Sequence, residues 1–170
     1  MSLEHWEHLK NEKFHTRYKI VASLIDTTDM KILDLDCGEP DFSKYTKHKE
    51  YVCNDLYPIN NNNVIFKQVA DSEIDEPSDL LVMFGYGCGE FTGVPQESKT
   101  AMEAIIRNSK HKPRYIVIEA ATKFFEAYNI LEEFKNKLTD YKLEHHIKLD
   151  VCLPDNHYHN KREIIIFKII

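Results

Sequence analysis

The chain has 170 residues, 42% of them hydrophobic and 29% charged, with nine Phe and nine Tyr, a composition that excludes a disordered segment and suits one folded core. Its formal net charge of −6 provides no basic surface to displace counterions from a nucleic-acid backbone, so nucleic acid is not an expected partner. No window approaches the roughly 20 apolar residues of a membrane span, and the charged stretch from Met1 to Lys13 lacks the apolar centre of a signal peptide, so a cytoplasmic protein with no membrane partner is expected.

Phe14, Tyr18, Val21 and Ile25 fall on one face of a helix predicted over Leu3 to Ile25. This N-terminal helix, within residues 1–27, is expected to pack on a single domain spanning 1–170. Lys31 to Asp36 shortens the pattern to a buried strand, and Tyr51 to Asp55 and Val64 to Ala70 read as two more. Leu80 to Phe84 is a fourth strand. Val94 to Ser109 is predicted as a helix with Pro95 in its first turn, and Arg114 to Glu119 as a fifth strand. Thr122 is placed to cap the next helix, whose face carries Phe124, Ala127, Tyr128, Leu131, Phe134 and Leu138 and which ends near Tyr141. The crossovers are short: Asp41 to Tyr45 leaves little helix after the first strand, and Tyr57 to Asn63 leaves none after the second. Either these links are extended or one of the strands is misplaced.

Two strand signals then follow with no helix between them. Leu143, His145, Ile147, Leu149 and Val151 alternate with polar residues, as on an edge strand with one wet face, while Ile164 to Ile170 is nearly all apolar, as in a sheet interior. The pattern predicts an α/β fold with a doubly wound, mostly parallel seven-stranded sheet, a C-terminal antiparallel hairpin and three αβα layers.

This order of elements resembles the class I S-adenosylmethionine-dependent methyltransferases, over nearly the whole chain. Ile32-Leu-Asp-Leu-Asp-Cys-Gly-Glu-Pro-Asp-Phe42 is similar to the family's first motif, a strand ending in an acid followed by three glycines at alternate positions. Asp34 matches the acid used near the methionine amino group. Of the glycines only Gly38 is present, with Asp36 and Pro40 in the outer two places. The resemblance implies that Asp55, after the second strand, accepts hydrogen bonds from the ribose hydroxyls, and that Asp71, after the third, lies near the adenine amino group. It also implies contacts to the cofactor from Phe84 and Gly85. Glycine permits unusual φ and close backbone approach to a ligand, whereas Asp36 adds a carboxylate that suits an amine better than the methionine carboxylate.

Four of the five glycines lie in Gly85 to Gly93, at the carboxyl end of the fourth strand, where ligands of open α/β sheets bind. The resemblance makes Tyr86, Cys88, Glu90 and Phe91 candidates for substrate binding, with His157 in the loop between the last two strands. Glu119, Glu90 and His157 are the candidates for a base, and Arg17 and Tyr18 for the cofactor's carboxylate. No metal site is expected, because the Cys and His spacings match no ligand set. Cys37, Cys53, Cys88 and Cys152 show no CxxC spacing, which argues for free thiols over a disulfide framework. The implied activity is transfer of a methyl group from S-adenosylmethionine to a small-molecule or protein acceptor. An inactive binding or partner subunit, or an enzyme using a decarboxylated adenosylmethionine, are the alternatives.

Overall fold

The computed structural model describes residues 10–57, 63–85, 95–154 and 160–170, with backbone alone at 95–97. Strands β1 (Lys31–Leu35), β2 (Glu50–Asn54), β3 (Ile65–Lys67), β4 (Leu80–Phe84), β5 (Tyr115–Ala121), β6 (Tyr141–Asp150) and β7 (Lys161–Ile169) form one sheet in the order β3-β2-β1-β4-β5-β7-β6. The first five pair in parallel, and β7 runs antiparallel between β5 and β6. The hairpin is thus where the apolar run and the alternating run place it. Ile164 to Phe167 are covered on both faces, while β6 alternates half-buried and exposed residues along the edge, with a register shift between Leu143 and His145.

Period-2 alternation divides the core between the two sides of the sheet. On one side Leu33, Leu35, Leu81, Met83, Ile116 and Ile118 meet helices α2 (Pro95–Ser109), α3 (Thr122–Tyr128) and α4 (Ile130–Lys137). On the other, Ile32, Leu80, Val82, Val117, Ile164 and Ile166 meet α1 (Thr16–Leu24) and Phe42 of a short 3-10 turn, Asp41–Tyr45. That turn is all the helix the β1–β2 crossover holds. No helix lies in the described part of the β2–β3 link, yet β2 and β3 pair in parallel through Val52 and Ile65. All the predicted strands are present, but the third is three residues, Ile65–Lys67, instead of the expected Val64 to Ala70.

Three expectations are corrected. Among the described residues the first helix begins at Thr16, with turns over 10–15 in which Phe14 is as fully buried as the periodicity requires, while the predicted stretch over 3–9 lies outside the described residues. Thr122 is not a cap: it is the first helical residue, Ala121 holds the N-cap place, and no side chain caps there. The long helix after it is two, broken at Asn129 with φ 49°, a left-handed conformation that asparagine tolerates better than most residues.

Candidate functional site

The carboxyl ends of β1 and β2 are joined by a compact turn. Asp36 and Gly38 both take left-handed backbone, φ 51° and 55°, so an aspartate supplies the conformation expected of glycine. The Cys37 N–H donates to the Asn54 carbonyl at 3.1 Å and the Asp36 N–H to Asn54 Oδ1 at 3.4 Å. The Gly38 N–H donates to Asp55 Oδ2 at 2.8 Å, and the Tyr57 N–H to Asp55 Oδ1 at 2.8 Å. Among the described residues, its two chain neighbours aside, no atom lies within 4 Å of where a Cβ on Gly38 would stand. A ligand could therefore approach the backbone there.

Four carboxylates gather around this turn. Asp34 is buried on the α1 side and accepts the Tyr51 hydroxyl at 2.5 Å. Burial pushes its carboxyl up to about 7, the Tyr51 hydrogen bond and then Arg17 opposing the rise and Asp36 and Asp55 adding to it. Tyr51 is pushed well above its ordinary value by the same burial and by Asp34. Asp71 also rises to about 7, through burial first and then Asp36 and Asp55, with Arg107 opposing. The nearer Arg107 contact is to backbone: its guanidinium donates to the Asp71 carbonyl at 2.8 Å.

Across β4 the charges are arranged differently. Glu119, fully buried on β5, accepts Arg162 Nε through Oε1 at 2.6 Å and Arg17 Nη1 through Oε2. The Gly85 N–H donates to the same Oε2 at 3.2 Å. Arg17 completes its set with the Phe14 carbonyl at 2.9 Å and the Tyr18 hydroxyl at 2.7 Å. Glu119 is therefore an anchor tying α1, β7 and the start of the post-β4 loop together, not an accessible base. Arg17 and Tyr18 are part of that anchor and not a free carboxylate clamp. Phe84 packs edge-on to Tyr18 at 4.7 Å and beside Phe42 at 4.9 Å, which fixes the end of β4 beneath the site.

No protein-family model and no curated protein matches the sequence. Among solved structures the chain is similar to the N-methyltransferase NodS from Bradyrhizobium japonicum in complex with S-adenosyl-L-homocysteine, with TM-score 0.69 and 12% identity over 96% of this chain and 91% of that one. It is also similar to magnesium protoporphyrin IX methyltransferase from Synechocystis with bound SAM, with TM-score 0.67 and 9% identity over 100% and 86% of the two chains. This chain has the class I methyltransferase fold.

Within that fold the sequence-predicted residues Asp34, Asp36, Gly38 and Asp55 come together at the ends of β1 and β2, and Asp71 joins them electrostatically. Phe84 and Gly85 stand at the end of β4, on the Glu119 side. Tyr86, Cys88, Glu90, Phe91 and His157 lie outside the described residues. The free-thiol expectation fails for one pair: Cys37 and Cys53 are joined as a disulfide, their Cα atoms 5.8 Å apart, because the turn after β1 folds back over the end of β2, where the Cys37 N–H reaches the Asn54 carbonyl. Cys152 is free and exposed. Sequence reasoning missed Asn54, whose amide ties the turn to the segment after β3 by donating to the Val69 carbonyl at 2.7 Å. It also missed Tyr51 and Arg162, the buried cation at the start of β7. The charged pair Arg162-Glu163 running directly into three isoleucines was the available signal for a buried ion pair.

Proposed function

We propose that the protein is an S-adenosylmethionine-dependent methyltransferase acting on a small-molecule or protein acceptor. The observation that carries this reading is the left-handed Asp36–Gly38 turn, locked to Asp55 across the ends of β1 and β2 in a methyltransferase fold. The residues fit the cofactor: Gly38 leaves its outer side open, and Asp55 has a remaining lone pair on each carboxylate oxygen with which to accept ribose hydroxyls. Asp34 would serve the methionine amino group, Asp71 the adenine amino group, and Phe84 and Gly85 would border the reacting end. Bound adenosylmethionine would supply an electrophilic sulfonium methyl. The chain's share of the chemistry is to hold the two partners in line and exclude water, which by itself supplies much of a rate enhancement. Glu119 is already engaged by two guanidiniums, so any base comes from another residue.

The four neighbouring carboxylates favour a second reading of the ligand, an adenosyl sulfonium bearing an amine without a carboxylate. Isothermal titration with adenosylmethionine, adenosylhomocysteine and decarboxylated adenosylmethionine separates the readings. Binding of the first two at micromolar level, weakened tenfold or more in Asp55→Ala, is the expected result. No heat and no thermal shift at millimolar ligand would overturn it and favour a binding or partner subunit.

A further inference from the structure

We propose that Cys37 and Cys53 form a reversible disulfide that locks the Asp36–Gly38 turn, so that the mouth of the ligand site is itself a thiol-redox modification site. The 5.8 Å between their Cα atoms lies within the span a disulfide bridges, and the structure joins them. Their surroundings differ. Cys53 is fully buried in the middle of β2, paired with Asp34 on one side and Phe66 on the other. Cys37 is half-buried in a turn whose two neighbours have positive φ, and beyond its N–H bond to Asn54 the backbone leaves the sheet.

That asymmetry assigns the roles. Cys37 is the accessible, attacking thiol and Cys53 the resolving one. With glutathione disulfide as oxidant, the Cys37 thiolate attacks one glutathione sulfur, breaks its S–S bond and releases one glutathione thiolate. Cys53 then gives its proton to solvent, attacks Cys37 Sγ and expels the second glutathione. Two protein thiols are oxidised and one glutathione disulfide is reduced to two thiols; a dithiol reverses the exchange. A disulfide of this kind in a reducing compartment is transient, as suits a switch more than a staple.

The consequence for the site is mechanical. Two unbonded sulfurs need more room than a bonded pair, and the turn gives way before a strand held on both sides does. Displacing Cys37 carries Gly38 with it and breaks the 2.8 Å bond from the Gly38 N–H to Asp55. The cross-linked form is therefore the ordered form of the turn and binds adenosyl ligands more tightly. This last consequence rests on the methyltransferase reading; the lock does not.

The test uses the full chain carrying Cys152→Ser, equilibrated in oxidised or reduced glutathione, then alkylated and peptide-mapped. Expected are a Cys37–Cys53 cross-linked peptide, reversed by dithiothreitol, and amide hydrogen exchange at residues 36–38 at least tenfold slower in the oxidised form. Adenosylhomocysteine should bind several-fold more tightly to that form. Cys37→Ser, at a half-buried position, should show the same exchange and the same affinity in both buffers. A glutathione adduct left on Cys37, a Cys37–Cys88 link, or a Cys37–Cys53 link that leaves exchange at Gly38 unchanged would overturn the proposal. If exchange responds while neither form binds a nucleoside, the lock stands and the methyltransferase reading fails.

Discussion

Two groups of buried charge flank β4, and they are built on opposite plans. On the β5–β7 side Glu119 meets Arg17 and Arg162, so the opposite charges and the Gly85 N–H converge on both oxygens of one carboxylate. On the β1–β3 side Asp34 and Asp71 are raised to about 7 partly by their acidic neighbours Asp36 and Asp55. The first group is satisfied within the chain and acts as structure. The second raises the free energy of the empty protein in a way that a cationic ligand would relieve, and so is where binding is to be sought.

The comparison is tested most severely by Glu119→Ala, which leaves two guanidiniums buried without their shared partner. Such a loss costs about 3–5 kcal/mol, read as a lower urea midpoint. A loss below about 1 kcal/mol would show that the anchor is not structural. Glu119→Gln, which keeps an acceptor for the Gly85 N–H, should lose less.

The acidic side predicts a pH dependence of opposite character. A carboxyl with a raised folded value keeps its proton longer in the folded state, so its contribution is full below the unfolded value near 4 and is lost as pH rises through about 7. Stability of the ligand-free protein should therefore decline between about pH 4 and 7, by up to about 1.4 kcal/mol per pH unit for each such group, and level off above. Asp34→Asn should flatten that slope and raise the melting temperature at pH 8. An unchanged slope would mean that Asp34 does not hold its proton in the fold.

The smallest effect is expected from Asp36→Gly. Glycine takes φ 51° without strain but adds freedom to the unfolded chain, so stability should change by no more than about 1 kcal/mol. Adenosylhomocysteine should bind several-fold more tightly once the carboxylate nearest its own is gone. Weaker binding would assign Asp36 to the ligand's amine instead.

Much of this architecture is legible in the residues. Leu80 to Phe84 is an apolar run bounded by Asp79 and Gly85, and β4 occupies those five positions. The alternation through Leu143 to Leu149 marks β6 as an edge, and acids behind three successive strands mark the candidate site. What escapes is whatever depends on distance along the chain. Arg17 and Glu119 meet across a separation of 102 residues, and Cys37 meets Cys53 only because the turn after β1 folds back over the end of β2. Local propensity is silent on both. It misleads at Asp36, where an aspartate takes a conformation that the alphabet reserves for glycine, so that a motif counted as depleted keeps its shape.

The alternation of β6 has a consequence for the molecule in solution. A sheet presents unpaired amides and carbonyls along its outer strands, and a long flat apolar margin invites another chain to add itself there. Here one margin is the three-residue β3, too short to template a partner, and the other carries Lys142, Glu144, His146, Lys148 and Asp150 outward and is offset by its bulge. Cross-strand pairs from His146 to Glu163 at 2.6 Å and from Lys161 to Asp150 at 2.6 Å hold those charged side chains against the neighbouring strand. The fold thereby resists growing sideways into an aggregate.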